Sequence, residues 1–281
     1  MSVDLLIAGV QKCGTTSLHL MLAQHPDIQT HSTGQWPYFL HEDNYAETYA
    51  AYMSSAFKDD KAGRIKLARD TSVSASNLAA ARLKELSPNV RLILMLREPV
   101  ARAYSGYTFA KSKQYDIAET FEEELVAEDR FTDDISTYLV RNHIPLSQYH
   151  KTLSRLETHF GKRSILAIKS EELKTDPQKV CNRIFKFIGV PEFTVAPLIA
   201  NVTRKSRFAA LQRLTKTDNV VRRISKKILP KTAIRWGLRT VSKLNTSKKS
   251  FEGIPPELEV KLRELLRDDM QNLKNDYGIE Y

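Results

Sequence analysis

The sequence predicts a three-layer α/β fold in which a short parallel sheet is flanked by helices. Short apolar runs of strand length alternate with longer segments of helical periodicity, an order typical of parallel sheets covered on both faces. The first strand is followed by a glycine-containing turn and a helix, as in P-loop-type domains. With 281 residues, 42% of them hydrophobic and 27% charged, the chain can bury one sizeable core.

In the first half of the chain, length and apolar pattern separate strands from helices. The run from Leu5 is short and bounded by Gly9, whereas the segment after Thr16 repeats at helical spacing and stops before Pro26. The predicted elements are a strand over Leu5–Val10, helices over Ser17–Gln24, Ala46–Phe57 and Ala75–Leu86, and a strand over Arg91–Leu96.

The second half of the chain is mainly helical. Pro99 predicts a helix start, because proline is favoured in the first helical turn. A third strand is predicted at Ile165–Ile168, and the apolar residues of 177–189 lie on one helical face. The predicted helices cover Val100–Ala110, Ala118–Ala127, Leu146–Phe160, Pro177–Gly189 and Pro256–Asn275.

Positive charge is concentrated in one segment. The chain has 43 Lys and Arg against 33 Asp and Glu, a formal net charge of +10. Arg204–Lys249 holds 15 of the basic residues and one acid, Asp218, which leaves 28 basic against 32 acidic residues elsewhere. A basic appendage on a mildly acidic body favours an anionic ligand or surface rather than nucleic acid. We expect one domain over residues 1–281, with 204–249 as a basic helical elaboration.

Composition also excludes several classes of protein. Two cysteines, Cys13 and Cys181, are too few for a disulfide scaffold or a four-cysteine zinc site. No apolar run approaches the roughly 20 residues needed to span a bilayer. The N-terminus carries no basic segment of the kind that opens a signal peptide, so we expect a cytoplasmic protein.

A candidate phosphate-binding turn follows the first predicted strand. Residues 9–17 read GVQKCGTTS, with two glycines that let the backbone approach a ligand and hydroxyls that can donate to it. A Walker A loop would end in Gly-Lys-Ser/Thr, whereas here Lys12 precedes Gly14, so a magnesium–triphosphate site is not supported. The alternatives are an ordinary strand–helix turn and a nucleophilic cysteine. The candidate ligand-binding residues are Gln11, Lys12, Cys13, Gly14, Thr15, Thr16 and Ser17.

A second motif follows the strand predicted at Arg91–Leu96. The sequence continues REPVARAYS, which places Arg97 at the strand end and Ser105 about two turns into the next helix. Arginine supplies a planar fork of donors suited to a phosphate group. The structural alternative is an arginine that pairs with a carboxylate.

Together the two motifs resemble those of the sulfotransferase family, which uses 3′-phosphoadenylyl sulfate (PAPS), in particular the branch that modifies heparan sulfate and its bacterial relatives. Similarity extends through 159–161, 171–177, 187–189 and the C-terminal helix, and is interrupted mainly by the basic stretch. The resemblance implies that the loop binds the 5′-phosphosulfate and that Lys12 neutralises charge on the leaving oxygen. It further implies 3′-phosphate contacts from Arg97, Ser105, Lys205, Ser206 and Arg207, and a reaction without a metal.

The general base is where the sequence departs from the family. Relatives carry a glutamate before an aromatic pair, and if Tyr38-Phe39 matches that pair, Gln35 stands in the glutamate's place. Glutamine orients a partner by hydrogen bonding but takes no proton at neutral pH. Either another base has taken over, or the acceptor is an amine that needs little help, or the protein binds PAPS without efficient turnover. The candidate replacement bases are His31, His41, Glu42 and Asp70.

Asp70 belongs to a motif of its own. The segment Asp70-Thr71-Ser72-Val73 resembles the acidic Glu-x-Ser/Thr-Pro segment that lines the family's acceptor site, with Val73 in place of the proline. A helix cap is the structural alternative for this aspartate. We therefore count Lys12, Gln35, His41 and Asp70 as the candidate catalytic residues.

The basic stretch interleaves cations with apolar residues over 220–244 and is broken at Pro230. This pattern suits a pair of interfacial helices. It has three interpretations: peripheral contact with a membrane surface or lipid acceptor, a helical lid packed on the body, or a groove for an anionic glycan.

The resemblance thus implies a PAPS-dependent sulfotransferase. Sulfuryl would pass to a hydroxyl or amine of a carbohydrate, glycolipid or small metabolite, releasing 3′-phosphoadenosine 5′-phosphate (PAP). One alternative is an ATP-dependent small-molecule kinase of the same fold, which would require magnesium. The other is a PAP-binding, membrane-associated protein without turnover.

Overall fold

The computed structural model describes most of the chain, in the ranges 2–31, 38–40, 48–57, 63–113, 115, 117–127, 141–198 and 253–281. Several predicted features lie outside these ranges: Gln35, His41, Glu42, Lys205, Ser206, Arg207 and the basic stretch 204–249. The interpretation of 1–281 as a single domain therefore stays a prediction.

Five parallel strands form the sheet, in the order β2-β3-β1-β4-β5. Every residue of β1, and every residue of β4 except its first, is buried, as expected for central strands covered on both faces. The strands are β1 (Leu5–Gly9), β2 (Ile28–Thr30), β3 (Ile65–Arg69), β4 (Arg91–Leu96) and β5 (Ile165–Lys169).

Three strands were predicted, so the expected sheet was incomplete. The missing strand β2 has only three residues, too few to show a period. The other, β3, reads IKLAR, where basic residues interrupt the apolar run. Pairing with β1 turns this sequence into a strand, and that pairing is invisible in local sequence.

The predicted helices are confirmed, with changes at their ends. The first begins two residues earlier than expected, the acidic helix begins at Phe121 rather than Ala118, and residues 145–147 form a separate 3₁₀ turn. A short helix at Ser170–Thr175 was not predicted. The helices are α1 (Thr15–Leu22), α2 (Tyr49–Ala56), α3 (Asn77–Leu86), α4 (Pro99–Ser112), α5 (Phe121–Ala127), α6 (Tyr149–Phe160), α7 (Ser170–Thr175), α8 (Pro177–Ile188) and α9 (Pro256–Tyr277).

Helices lie on both faces of the sheet, which confirms the three-layer prediction. Helix α3 packs on α6, and α6 packs on α9, whereas the turn that follows α1 meets α8 through the rings of His25 and Phe185. The chain moves in opposite directions along the sheet through α1 and through α3, so right-handed crossovers place these helices on opposite faces. Among the described residues, no helix is both long and apolar enough to cross a bilayer.

Candidate active site

The turn between β1 and α1 lies at the carboxyl edge of the central strands. Gly14 precedes α1 with a φ of 86°, and no side chain caps the helix, so its first-turn N–H groups point out of the helix end. Lys12 itself has a φ of 71°, a left-handed conformation that is uncommon for a residue with a side chain. The predicted phosphate loop is thus a sharply turned segment built around the sheet's central strand.

Gly9 lies in close contact with a neighbouring loop, residues 70–76, that follows β3. A Cβ on Gly9 would stand 2.1 Å from Ser74 Oγ, and the Gly9 φ is 149°. The Ser74 backbone N–H donates to the Ala8 carbonyl at 3.2 Å, which keeps the two segments together. The glycine therefore permits the 70–76 loop to border the phosphate loop.

Replacing Gly9 with alanine is expected to destabilise the protein by about 1–3 kcal/mol, because the added methyl overlaps the Ser74 side chain. Urea unfolding measures this loss. Gly161 is the matched control, since it also has a positive φ, 78°, but a Cβ there meets nothing within 4 Å. Equal losses for Gly9→Ala and Gly161→Ala would show that backbone conformation alone is responsible.

Lys12 faces a concentration of positive charge. Burial, followed by repulsion from Arg97, Arg102 and Lys113, lowers the pKa of Lys12 from 10.5 to about 8. Cations that repel one another in this way are stabilised together by a multiply charged anion. The electrostatics of the loop therefore fit a phosphate- or sulfate-bearing ligand.

Phe109 of α4 supports the Lys12 side chain. The Lys12 Nζ lies 4.1 Å from the centroid of the Phe109 ring, a cation–π contact, and Lys113 Nζ lies 5.7 Å from the same centroid. The ring thus fixes where the Lys12 ammonium lies without neutralising its charge.

Arg97 and Ser105 occupy the predicted positions, directly after β4 and within α4. The Arg97 N–H donates to Tyr149 Oη at 3.3 Å. Within the described ranges, neither the Arg97 guanidinium nor the Ser105 hydroxyl makes a hydrogen bond or ion pair with another side chain. Within these ranges Arg97 is therefore not paired with a carboxylate, contrary to the structural alternative. Both side chains are half-buried and accessible to a ligand.

Cys13 is a packed residue of the loop rather than an exposed thiol. It is 1% exposed, and its Sγ lies 3.7 Å from Tyr149 Oη. Burial raises the pKa of Cys13 from 9.0 to about 11. A thiol that stays protonated is a poor nucleophile, so the nucleophilic alternative loses support.

A polar cluster lies on the other side of α1. Arg69 at the end of β3 donates to Thr16 Oγ1 at 2.5 Å, which leaves the Thr16 proton for another acceptor. The centroids of the His19 and His31 rings are 5.4 Å apart, and burial lowers the pKa of each histidine from 6.5 to about 4. A base with so low a pKa takes a proton poorly at neutral pH, so His31 is the weaker candidate base.

Asp70 has the opposite electrostatic character. It is fully buried; its Oδ1 accepts from the Ser72 N–H at 2.9 Å and from Ser72 Oγ at 2.5 Å. Its other oxygen, Oδ2, has no hydrogen-bond partner in the described part of the chain. Burial, only partly offset by these bonds, raises the pKa of Asp70 from 3.8 to about 7. This aspartate does not cap a helix in the manner of the structural alternative, since Ser76 caps α3.

Sequence reasoning missed the face of α4 that is turned to the loop. Arg102 donates to the Gln11 carbonyl, Phe109 contacts Lys12, and Lys113 follows at the helix end. Together with Ser105 these residues are spaced at three, four and four positions, which is one face of a helix. The same periodicity test used for apolar residues would have identified this face.

No group of three or more His, Cys, Asp or Glu in the described ranges has the geometry of a metal site. The residues that converge on the loop are cations and hydroxyls instead, a set that fits an anionic ligand.

The parallel sheet and the cation-rich loop after its central strand define an α/β protein of P-loop type with a candidate phosphate site. The sequence profile of the sulfotransferase domain family matches residues 2–235. The chain belongs to the sulfotransferase family.

Named relatives agree with this assignment. The chain is 32% identical over 185 residues to human heparan sulfate glucosamine 3-O-sulfotransferase 3B1, covering 66% of this chain and 45% of that protein. It is 28% identical over 193 residues to Xenopus laevis bifunctional heparan sulfate N-deacetylase/N-sulfotransferase 1, covering 66% of this chain and 22% of that protein. The chain thus spans less than half the length of these curated relatives.

A crystal structure of a sulfotransferase from Alicyclobacillus acidocaldarius has the same fold. The TM-score is 0.69 at 19% identity, and the match covers 100% of this chain and 98% of that one. This similarity confirms the α/β architecture.

Proposed function

We propose that the protein is a PAPS-dependent sulfotransferase, which transfers a sulfuryl group to a hydroxyl or amine of an acceptor and releases PAP. The observation that carries the proposal is the Lys12 ammonium, held on Phe109 and surrounded by Arg97, Arg102 and Lys113 at a strand–helix turn. This charge suits a ligand with phosphate at both ends. Membership of the sulfotransferase family gives the same chemistry.

In this proposal each end of PAPS has its own residues. The backbone of 11–17 and the hydroxyls of Thr15, Thr16 and Ser17 hold the 5′-phosphosulfate. Arg97 and Ser105 hold the 3′-phosphate through a guanidinium fork and a hydroxyl. The contacts predicted for Lys205, Ser206 and Arg207 remain predictions.

Lys12 has the chemical role in the loop. PAPS supplies the sulfuryl group, and negative charge grows on the oxygen that leaves with PAP. A fixed ammonium at the loop stabilises that charge more in the transition state than in the ground state. The ammonium is protonated in most molecules below its pKa of about 8.

Asp70 is the base that we propose in place of the missing glutamate. Its pKa of about 7 lies near the operating pH, which is the range in which a carboxylate accepts a proton efficiently. Oδ2, the oxygen without a described partner, is the atom that would take the proton. Asp70 is fully covered, so this role requires that acceptor binding open a path to it. His41 and Glu42 stay alternative bases, and Gln35 stays a candidate for orienting the acceptor by hydrogen bonding.

Asp70→Asn is expected to lower kcat about 10²–10⁴-fold and to remove an acid limb near pH 7. The same change is expected to stabilise the fold at pH 8. The raised folded-state pKa means that the folded protein binds more protons than the unfolded chain between about pH 4 and 7, so ionisation destabilises it as pH rises through that window. Kinetics and thermal unfolding against pH measure both effects.

Asp4→Asn is the control for Asp70→Asn, because Asp4 also accepts a backbone N–H, from Lys66 at 2.8 Å, but at the opposite edge of the sheet. It is expected to leave the acid limb in place. An Asp70→Asn enzyme with the wild-type pH profile would exclude Asp70 as the base.

For the acceptor we infer a carbohydrate. Both kinds of relative reported above carry heparan sulfate in their names, one as an O- and one as an N-sulfotransferase. The basic stretch 220–244 supports an anionic glycan on charge grounds, and its alternatives, a membrane surface or a lid, stay predictions.

Thermal unfolding in EDTA with PAP, and separately with ATP and magnesium, tests the proposal. A ligand at about 100 times its Kd stabilises by about 2.7 kcal/mol, enough to shift the midpoint by several degrees. A shift with PAP in EDTA is expected. A shift only with ATP and magnesium would favour the kinase alternative, and PAP binding without transfer across a broad carbohydrate panel would favour the protein without turnover.

A further inference from the structure

We propose that Arg102 is a positioning residue, which holds the phosphate loop in the conformation that presents Lys12. The proposal rests on the function proposed above and assigns to it a residue that never needs to touch the ligand. Arg102 is the largest fully buried side chain among the described residues, with 0% exposure. A guanidinium keeps its charge when it is buried, so its donors need hydrogen-bond partners. The partners of Arg102 indicate its role.

One side of the Arg102 guanidinium holds the loop. Nε donates to the Gln11 carbonyl at 3.1 Å, and NH2 lies 3.4 Å from Gln11 Oε1. Arg102 therefore binds Gln11 at both its backbone and its side chain, directly before Lys12 with its left-handed backbone conformation. The side-chain oxygen of Gln11 is thus engaged with Arg102.

The other side of the guanidinium holds a turn from a distant part of the chain. NH1 donates to the His143 carbonyl at 2.8 Å and lies 3.4 Å from Ser147 Oγ. Ser147 Oγ donates to the same carbonyl at 2.9 Å. Arg102 thereby joins the phosphate loop to the turn 143–147, with α4 as the rigid support.

His143 fixes the position of that turn. Its ring lies edge-on to two aromatic rings between α4 and α5. The distance between ring centroids is 6.1 Å to Tyr107 and 5.5 Å to Phe121. A Cβ on Gly106 would stand 2.9 Å from His143 Nδ1, so the glycine makes room for the ring. Packing of the His143 ring consequently fixes the position of the carbonyl to which Arg102 donates. Through Arg102, that packing also fixes the position of the phosphate loop.

Arg102 also adds a permanent charge beneath the loop. Burial is the largest cause of the lowered Lys12 pKa. Among the described residues, Arg97 directly after β4, Arg102 in α4 and Lys113 directly after α4 lower this pKa further, whereas Cys13 in the loop raises it. Removal of the Arg102 charge therefore raises the pKa of Lys12. A residue with only a packing role would leave that pKa unchanged.

The first test is Arg102→Lys, which keeps the charge but loses the fork. Calorimetric titration with PAP, well below the unfolding midpoint, is expected to show binding about tenfold weaker than wild type. Arg91→Lys is the matched control, because Arg91 also donates to a carbonyl, Phe187 at 2.7 Å, but at the amino end of β4. The control is expected to bind PAP within twofold of wild type.

The second test is Arg102→Gln, which removes the charge. PAP affinity of the wild-type protein is expected to fall above about pH 8, as Lys12 loses its proton. In Arg102→Gln this alkaline limb is expected at higher pH. An unshifted limb would overturn the electrostatic part of the proposal.

The outcomes separate this proposal from the one on which it rests. Wild-type protein that does not bind PAP contradicts the proposed function. Wild-type binding together with a folded Arg102→Lys that binds equally well overturns the positioning role. If Arg102→Lys does not fold, Gly106→Ala decides, because its added methyl would stand against the His143 ring, whereas alanine ordinarily stabilises a helix. PAP binding that is several-fold weaker at normal stability supports the positioning role of Arg102. Unchanged PAP binding overturns it.

Discussion

Lys12→Met is expected to reduce sulfuryl transfer about 10²–10³-fold, the cost typical of losing one preorganised group that stabilises developing charge. Methionine keeps an apolar stem against the Phe109 ring and inherits the same φ of 71°, so the fold is expected to remain intact. The loss should appear in kcat more than in the affinity for PAPS, since the ammonium acts most on charge that grows in the transition state. PAP already carries that charge, so its affinity should fall as well, as it does when Lys12 loses its proton. Steady-state kinetics with PAPS and calorimetry with PAP measure these losses.

Lys84→Met is the matched control for Lys12→Met. Lys84 Nζ lies 5.8 Å from the Phe160 ring, so this pair repeats the lysine–phenylalanine contact on α3 and α6. Its transfer rate is expected to equal that of wild type. Near-normal turnover in Lys12→Met would remove Lys12 from the proposed mechanism.

Arg97→Ala is expected to weaken PAP binding about 10–100-fold, the range for a lost hydrogen bond to a charged group. Adenosine 5′-phosphosulfate, which lacks the 3′-phosphate, should lose far less affinity. The guanidinium has no ion pair in the described ranges, so its removal leaves no buried carboxylate behind. Competition binding with both nucleotides gives the two losses.

Arg91→Ala tests whether any arginine of β4 would give the same result. Arg91 is the first residue of β4 and Arg97 follows its last, but Arg91 is exposed at the amino end of the strand, away from the loop. It is expected to change neither affinity. Equal losses for PAP and adenosine 5′-phosphosulfate in Arg97→Ala would exclude the 3′-phosphate contact.

Much of the candidate site was predictable because its residues are near one another in sequence. The loop 9–17 and the pair Arg97 and Ser105 each follow a buried strand, and parallel strands end at one edge of the sheet. The strand order confirms that β1 and β4 are neighbours, which brings the two motifs together.

The rest depended on contacts between distant residues. Arg102 stood in the second motif without a role until the fold placed Gln11 on one side of it and His143 on the other. Likewise, nothing local in the sequence distinguishes His31, with a pKa of about 4, from Asp70, with a pKa of about 7. Burial decides both values, and burial is a property of the whole fold.

The sequence by itself determined the layered α/β architecture, most helices and the position of the candidate phosphate loop, because periodicity and turn residues act over a few neighbouring positions. Only the tertiary structure decided the full sheet, since β2 and β3 exist through pairing with strands far away in the chain. It also decided which ionisable groups around Lys12 are buried, hydrogen-bonded or exposed. Those properties arise from packing between α4, β3 and the loop, which no single segment encodes.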